Sequence, residues 1–313
     1  MATSAKRRPL TTEERAANTR LAHACLLSSV AKTFAASGVD AALHGGAALY
    51  MRYALPRLSS DMDFVIARED LPALEGAVND AAGALLEWHR SKGADARVVL
   101  TGKTKDVGEV TRYKISLGLD PLIIGDVHIH LEFWPVAREY VGLYERVGLD
   151  VSSAGADWSF PIGFRFPDPV AAMSDKLIAL VSRPHLKWRD IYDLAYMTRD
   201  FADVMAPHDV FEAIPRHLDA YQFMTIEQIR ERVSQLLALD EPALIDMART
   251  DLIRYLSPQQ QAVVEAGDYA PLRHSVEIVR SWLRIYDLDL KARDYPTVVK
   301  NRTESITENH ASP

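Results

Sequence analysis

Apolar residues at helical spacing mark the first regular element of the chain. Thr11 and Glu14 have the spacing of a capping box, and Gly38 supplies a stop signal, so we predict one long amphipathic helix between them. The apolar positions that recur on its buried face are Leu21, Leu26, Leu27, Val30 and Phe34.

A strand, a glycine turn, a helix and a second strand are predicted next. Residues 39–46 end on Gly45 and Gly46, residues 46–54 continue as a helix that the glycines open, and residues 61–67 form an apolar strand. Three further segments, 97–102, 111–119 and 126–135, are rich in β-branched residues with partial alternation. The sheet region is therefore expected to run to about residue 135.

The second half of the chain has helical periodicity from residue 168 onwards. We expect the fold class to be α+β, with a first domain over 1–165 that includes the N-terminal helix and a helical domain over 166–300. Residues 301–313 are polar and aperiodic, which predicts a mobile tail.

Composition narrows the class of protein. The 313 residues are 48% hydrophobic and 25% charged, as in a globular protein, and the formal net charge of −7 argues against a globally basic nucleic-acid binder. A single cysteine, Cys25, excludes an intramolecular disulfide framework and a thiolate zinc cluster. Because there is neither an apolar run of membrane-spanning length nor a signal-peptide core, we expect a cytoplasmic protein without a membrane partner.

Asp61 and Asp63 are the first candidates for chemistry. Side chains two apart on a strand point to the same face, so both carboxylates would converge, and their mutual repulsion favours a divalent cation between them. The alternative is a solvated strand edge without a function.

The neighbouring motifs suggest what such a metal would serve. Gly45 and Gly46 allow close backbone approach, and the helix that they open offers free amide groups to phosphate. Glu132, on a later strand with His128 and His130 on the same face, has the residue type of a third carboxylate that holds a second metal and deprotonates a hydroxyl. Together these features indicate nucleotidyl transfer from an NTP co-substrate, with Mg²⁺ or Mn²⁺ as cofactor.

Two motif blocks resemble the AbiEii/MenT group of nucleotidyltransferase toxins, within the DNA polymerase β-like superfamily. Residues 45–49 and 57–64, GGAAL and RLSSDMDF, are similar to the G-G-x-A-L…R-x-S-x-D-x-D-F signature. Residues 176–194 are similar to the K-L-x-A-L…R…[KR]-D-x-x-D-L block, and the resemblance covers most of residues 40–195.

The resemblance implies a mixed sheet flanked by helices, with a helical domain that closes the nucleotide cleft. It implies a toxin that acts on RNA, at the tRNA 3′ end as in relatives, with a possible cognate antitoxin. The catalytic residues that we assign are Asp61, Asp63, Lys176, Asp190 and Asp193, which occupy motif positions, and Glu132, from its position on the later strand. Of these, Asp61, Asp63 and Glu132 are expected to hold metal. The implied nucleotide contacts are Gly45, Gly46, Ser59, Lys176 and Arg183.

Several of these residues have a structural alternative. Glu132, His128 and His130 could be residues of the sheet surface, and His44 is expected to be structural. Asp190 and Asp193 lie three apart on a presumed helix and could instead cap it or pair with Arg189 or Lys187.

A local basic cluster lies between the two halves of the second block. Arg183, Lys187 and Arg189 could hold the triphosphate or the acceptor backbone, and we assign Lys187 and Arg189 to acceptor RNA. Two alternatives remain open: a nucleotidyltransferase with a small-molecule acceptor of the aminoglycoside type, and an inactive nucleotide-binding interaction protein.

Overall fold

The structure is a computed structural model that describes residues 8–101, 110–118, 123–124, 126–152, 159–183, 185–221 and 225–292. The predicted mobile tail, 301–313, lies outside the described residues. The two long predicted regions are found in the expected order, because strands run to Phe166 and the elements described after it are helical. The exact domain boundaries stay a prediction.

A seven-stranded mixed sheet forms the centre of the first half, in the order β4-β5-β7-β3-β2-β9-β8. Its strands are β2 (Ala41–His44), β3 (Asp61–Ala67), β4 (Arg97–Thr101), β5 (Thr111–Gly118), β7 (Val127–Val136), β8 (Glu145–Ser152) and β9 (Ser159–Phe166). Two short strands, β1 (Arg8–Pro9) and β6 (Ile123–Ile124), pair separately. The β3–β7 and β2–β9 pairs are parallel and the other pairs of the large sheet are antiparallel. The α+β class with a mixed sheet is confirmed.

Helix α1 (Thr12–Ser37) confirms the first sequence prediction in detail. The Thr11 hydroxyl accepts from the Glu14 backbone N–H at 3.1 Å, and the Glu14 carboxylate accepts from the Thr11 N–H at 2.9 Å. Gly38 ends the helix in the left-handed conformation, with a φ of 69°. The helix therefore begins and ends where its caps require.

The larger elements of this half that were not predicted are a helix and a hairpin, although their apolar patterns are regular. Helix α3 (Leu71–Ser91) packs beside α1, and Leu74, Val78, Ala81 and Leu85 on its buried face have helical spacing. The hairpin β8–β9 extends the sheet beyond residue 135, and its second strand buries Phe160, Ile162, Phe164 and Phe166 in strict alternation.

Helices α1 and α3 cover one face of the sheet. Met62 and Phe64 of β3 and Leu131 and Phe133 of β7 point into this core, where the Phe64 and Phe133 rings stack at 4.8 Å between centroids. The other face is covered in part by α4 (Arg138–Val141), near the ends of β3 and β7, while α2 (Gly45–Tyr53) lies beside β3 and buries Ala47 and Ala48 in the first core. Because strand residues alternate, this second face carries Asp61 and Asp63.

The second half has its own apolar core. Its helices are α5 (Pro169–Ser182), α6 (Trp188–Asp200), α7 (Pro207–Tyr221), α8 (Ile226–Leu237), α9 (Glu241–Asp251), α10 (Pro258–Ala266) and α11 (Ala270–Ala292), with short 3₁₀ turns that include Ile253–Tyr255. This core continues onto Leu49 and Leu55, at α2 and the turn after it, so the helical half packs against the glycine helix. No helix in the described ranges is long and apolar enough to cross a membrane.

Candidate functional site

The glycine turn lies directly against Asp63. Strand β2 ends at His44, which pairs with Asp63 of β3, and α2 begins at Gly45 with a φ of 68°. A Cβ atom at Gly45 would lie 2.6 Å from Oδ2 of Asp63, closer than any side chain permits. Glycine is required here for both its backbone conformation and its lack of volume. The first amide groups of α2 therefore lie next to the carboxylate, as the sequence predicted.

The three candidate carboxylates share one face of the sheet. Met62 is buried between Asp61 and Asp63, which are half-buried on the opposite face. The parallel pairing of β3 with β7 sets Asp63 beside Glu132 and Asp61 beside His130. The predicted common face of His128, His130 and Glu132 is also confirmed, because the residues between them are buried.

Two of the three carboxylates, those of Glu132 and Asp61, have a partner in the protein. The Arg112 guanidinium lies 3.0 Å from Oε1 of Glu132 and donates to Oε2 at 3.3 Å. The Asp61 carboxylate lies 3.2 Å from Nδ1 of His130. Burial, and then the negative charge of Asp63, raise the pKa of Glu132, while Arg112 opposes this rise. Glu132 is therefore a more basic carboxylate than an exposed one.

The donor set fits a hard divalent cation, although the side chains do not converge into a ready cluster. No group of three His, Cys, Asp or Glu side chains within the described ranges is arranged to enclose an ion. Mg²⁺, however, is commonly bound through one or two carboxylates together with substrate phosphates. Asp61 and Asp63 supply such a pair, since both are oxygen ligands on one strand face beside the glycine turn.

Lys176 lies in a buried network of ion pairs behind the glycine helix. Its ammonium lies 3.2 Å from Asp190 and 2.7 Å from Asp193. Asp193 also accepts two hydrogen bonds from Arg57, one of them at 2.6 Å, and Asp190 pairs with Arg183. The network thus holds three cations and two carboxylates.

The alternative pairing considered for these aspartates is not found. Asp190 and Asp193 contact neither Lys187 nor Arg189 through an ion pair within the described residues. Burial alone would raise the pKa of Asp190, but the charges of Lys176 and then Arg183 outweigh burial and lower this pKa. Whether Lys176 contacts phosphate and whether either aspartate is catalytic stay predictions.

Arg57 is a site residue that the sequence analysis did not single out. It is 2% exposed, and a Cβ atom at Gly46 would lie 2.9 Å from its Nη2 and 3.0 Å from Oγ of Ser59. Ser59 in turn donates to the Asp61 carbonyl at 3.1 Å. The buried Arg57 guanidinium therefore packs closely against Gly46. The sequence signal that could have identified Arg57 was its position as the arginine of the R-x-S-x-D-x-D block.

A second buried cluster surrounds Asp175, the residue before Lys176. Its carboxylate lies 2.7 Å from Nδ1 of His217, accepts from the Tyr144 hydroxyl at 3.0 Å, and lies 3.9 Å from His44. Burial alone would raise the pKa of Asp175, but the interaction with His217 outweighs burial and lowers this pKa. The cluster joins α5 and α7 to the end of β2, which agrees with a structural role for His44. No sequence signal linked these residues, because they are far apart along the chain.

The two cations assigned to the acceptor lie at the start of α6. Lys187 is exposed, and Arg189 packs over the Tyr255 ring at 4.3 Å. Although Lys187 is exposed, desolvation by the groups around it and the charges of Arg183 and Arg189 lower its pKa, and Asp190 and then Asp63 oppose this. The backbone N–H of Leu58 donates to the Tyr255 carbonyl at 2.8 Å, so this end of α6 lies beside the loop before Asp61.

Similar folds are found among solved structures. The chain resembles a candidate nucleotidyltransferase from Helicobacter pylori, with 15% identity, a TM-score of 0.51, and coverage of 87% of this chain and 96% of that one. It also matches JHP933 from Helicobacter pylori, with 17% identity, a TM-score of 0.48, and 87% and 93% coverage. It matches MenT4, a nucleotidyltransferase toxin from Mycobacterium tuberculosis, with 16% identity, a TM-score of 0.44, and coverage of 88% of this chain and 99% of that one. No curated protein sequence matches the chain.

The family comparison agrees with the geometry of the glycine turn and the paired aspartates. The model of the nucleotidyl transferase AbiEii toxin family, of type IV toxin–antitoxin systems, matches residues 30–266, which is more than half of the chain and includes both motif blocks. The glycine turn against Asp63, the carboxylate face of the sheet and helices α5 to α10 of the helical half all fall within this match. The chain belongs to the AbiEii family of nucleotidyltransferase toxins.

Proposed function

We propose that this protein transfers a nucleoside monophosphate from an NTP to the 3′-terminal hydroxyl of RNA, and that the RNA is tRNA. The observation that carries the proposal is the contact between the glycine turn and Asp63, in register with Glu132. It supports the proposal because a helix start suited to phosphate lies beside a carboxylate pair and a basic carboxylate, which are the parts that nucleotidyl transfer needs.

The chain's own residues divide the chemistry between them. Glu132 takes the proton from the acceptor hydroxyl, whose oxygen forms a bond to the α-phosphorus. The bond from that phosphorus to the β-phosphate oxygen breaks, and pyrophosphate leaves with the electron pair. The α2 amide groups at Gly45 and Gly46, with Lys176 and Arg183 behind them, orient the phosphates, and Ser59 holds the Asp61 strand end.

Asp61 and Asp63, with Glu132, would hold Mg²⁺ or Mn²⁺. When bound, the metal neutralises the charge that develops on the phosphates and lowers the pKa of the attacking hydroxyl. For Glu132 to join the metal or the hydroxyl, its ion pair with Arg112 must open on that side. Asp190 and Asp193 act in this scheme by holding Lys176 in place.

Lys187 and Arg189 are proposed to contact the acceptor backbone. Lys187 is close enough to Asp63 to interact with its charge, and Arg189 packs on Tyr255, whose carbonyl accepts from the Leu58 N–H. We further propose that toxicity follows from modification of tRNA and that a cognate antitoxin relieves it, in line with the family. The double variant Lys187→Ala/Arg189→Ala should lose RNA modification and growth arrest while it still binds NTP. A double variant that stays fully toxic would remove these two residues from the acceptor site.

The test of the function is incubation of the protein with each α-labelled NTP, magnesium and total cellular RNA, followed by a denaturing gel. We expect one labelled band of tRNA size, which Asp63→Asn abolishes. Asp246→Asn, the same change on an exposed side chain of α9, is the matched control and should keep full activity. Label that appears on small molecules alone would overturn the RNA acceptor, and transfer by folded Asp63→Asn at the parent rate would overturn the site.

A further inference from the structure

The parts of the proposed site lie in a fixed order across the sheet. The glycine turn follows β2, Asp61 and Asp63 lie on β3, Glu132 lies on β7, and β5 is the next strand outward. The helical half packs against α2 on the β2 side, through Leu49 and Leu55. The phosphate cradle and Glu132 are therefore on opposite sides of the aspartate pair.

This order fixes the direction from which an acceptor must arrive. In phosphoryl and nucleotidyl transfer the attacking and leaving oxygens are roughly in line through phosphorus. If the β- and γ-phosphates are held at the start of α2, the hydroxyl enters from the side of Glu132, over β7 and β5. This step rests on the proposed function, and it concerns a different surface from Lys187 and Arg189.

The face of β5 and β7 beyond Glu132 is polar and open. In the antiparallel register Lys114 pairs with His130 and Ser116 with His128, so their side chains lie on the same face as Glu132. Both histidines are exposed, and Lys114 is half-buried. Within the described part of the chain Lys114 forms neither an ion pair nor a hydrogen bond. We call Lys114, His128 and His130 the open sheet face.

The charge on this face indicates the chemistry of its partner. An acceptor that carries phosphates and approaches Glu132 also approaches Asp61 and Asp63, which repel it. Lys114, which has no ion-pair partner among the described residues and lies opposite His130 on the strand beyond Glu132, offsets that repulsion. A cationic acceptor such as an aminoglycoside would gain nothing from Lys114. Exposed imidazole rings beside a cation also suit the stacking of unpaired bases.

We propose that the open sheet face binds the unpaired 3′ end of the acceptor RNA, with Lys114 on the phosphate nearest the reacting hydroxyl. Lys187 and Arg189, on the side of the helical half, then contact backbone elsewhere along the acceptor. The RNA would cross the metal-binding aspartates from the sheet side, and the NTP would enter beside α2.

The test compares Lys114→Glu with Lys32→Glu, the same charge change at an exposed lysine of α1. Binding of a short, fluorescently labelled single-stranded RNA with a free 3′ hydroxyl is measured by anisotropy, and NTP binding is measured by calorimetry. Loss of one charge-assisted contact predicts that Lys114→Glu raises the Kd for RNA about tenfold or more, with unchanged Kd for NTP. Lys32→Glu should change neither value by more than about twofold.

A milder variant and the salt dependence guard against a folding defect. Lys114→Ala, with the circular dichroism and urea midpoint of the parent, should reduce the slope of log Kd against log salt by about 0.7, the value for one single-strand phosphate. If the parent labels RNA and both Lys114 variants bind and label it as the parent does, the open sheet face is wrong and the proposed function stands. If the parent neither binds nor labels RNA, both the assignment of RNA as acceptor and the proposed role of the open sheet face are wrong.

Discussion

Gly45 offers the sharpest test of the site, because its substitution separates backbone strain from displacement of a carboxylate. In Gly45→Ala the new residue keeps a φ of 68°, and its Cβ atom lies 2.6 Å from Oδ2 of Asp63. Gly38, at the end of α1, has a φ of 69°, but among the described residues nothing lies within 4 Å of the position that its Cβ atom would take. The two alanine variants therefore share the strain and differ in the collision.

The magnitudes follow from these distances. A left-handed alanine costs about 1–2 kcal/mol, so both variants should lose a similar free energy of unfolding. Ordinary van der Waals contact begins at 3.4 Å, so in Gly45→Ala the Asp63 carboxylate or the turn must move by roughly 0.8 Å. Misplacement of a reacting group by about 1 Å can cost about 100-fold in rate. We therefore expect kcat to fall about 100-fold in Gly45→Ala and less than about twofold in Gly38→Ala.

The assay is transfer of labelled nucleotide to RNA at saturating NTP, together with urea unfolding of both variants. Unfolding free energies within about 1 kcal/mol of each other establish that the strain is matched. The reasoning about Asp63 is refuted if folded Gly45→Ala transfers nucleotide at the rate of Gly38→Ala. Weakened NTP binding with unchanged kcat would instead assign the turn to binding alone.

Three further predictions concern charge. Asp193→Asn leaves buried cations without their partner and should cost about 3–5 kcal/mol in urea unfolding, against less than about 1 kcal/mol for Asp246→Asn, whose ion pair is exposed. Burial lowers the pKa of His23 to about 4, so the unfolded chain binds its proton more tightly. Between pH 7 and 5 this should cost the parent about 2 kcal/mol, a loss that unfolding of His23→Gln should not show. Arg112→Ala removes the charge that opposes the raised pKa of Glu132, so on acidification kcat/KM should begin to fall at a higher pH than in the parent; an identical pH profile would contradict the role of Glu132 as base.

The glycine turn and the carboxylate face could be predicted because each depends on short spacings. Gly45 and Gly46 open a helix, and Asp61 and Asp63 are two apart on a strand, so their local geometry follows from backbone periods alone. Glu132 could be assigned to a strand face, but its register with Asp63 depends on the pairing of β3 with β7. That pairing joins segments about 70 residues apart, and the sequence pattern did not define it.

The buried network could not be predicted in the same way. Arg57 and Asp193 are 136 positions apart, and their contact exists because the helical half packs on the turn after α2. The spacing of Asp190 and Asp193 suggested nearby partners, Arg189 or Lys187, as the alternative to catalysis, since local pairs are the ones that a sequence shows. Tertiary packing instead supplies Arg57 and Lys176, because a buried carboxylate requires a partner that is also shielded from water.

The charges of the described site are arranged as a boundary between two unlike regions. Behind α2, three cations face two carboxylates, which leaves an excess positive charge beside the amide groups that open the helix. In front, Asp61 and Asp63 present carboxylates to the same space, with Gly45 as the point of contact. A polyanion placed across this boundary is attracted at one end and repelled at the other, and a divalent cation removes the repulsion without disturbing the attraction. We therefore expect transfer to depend on a divalent metal, since the glycine at the proposed phosphate site also brings the Asp63 carboxylate next to it.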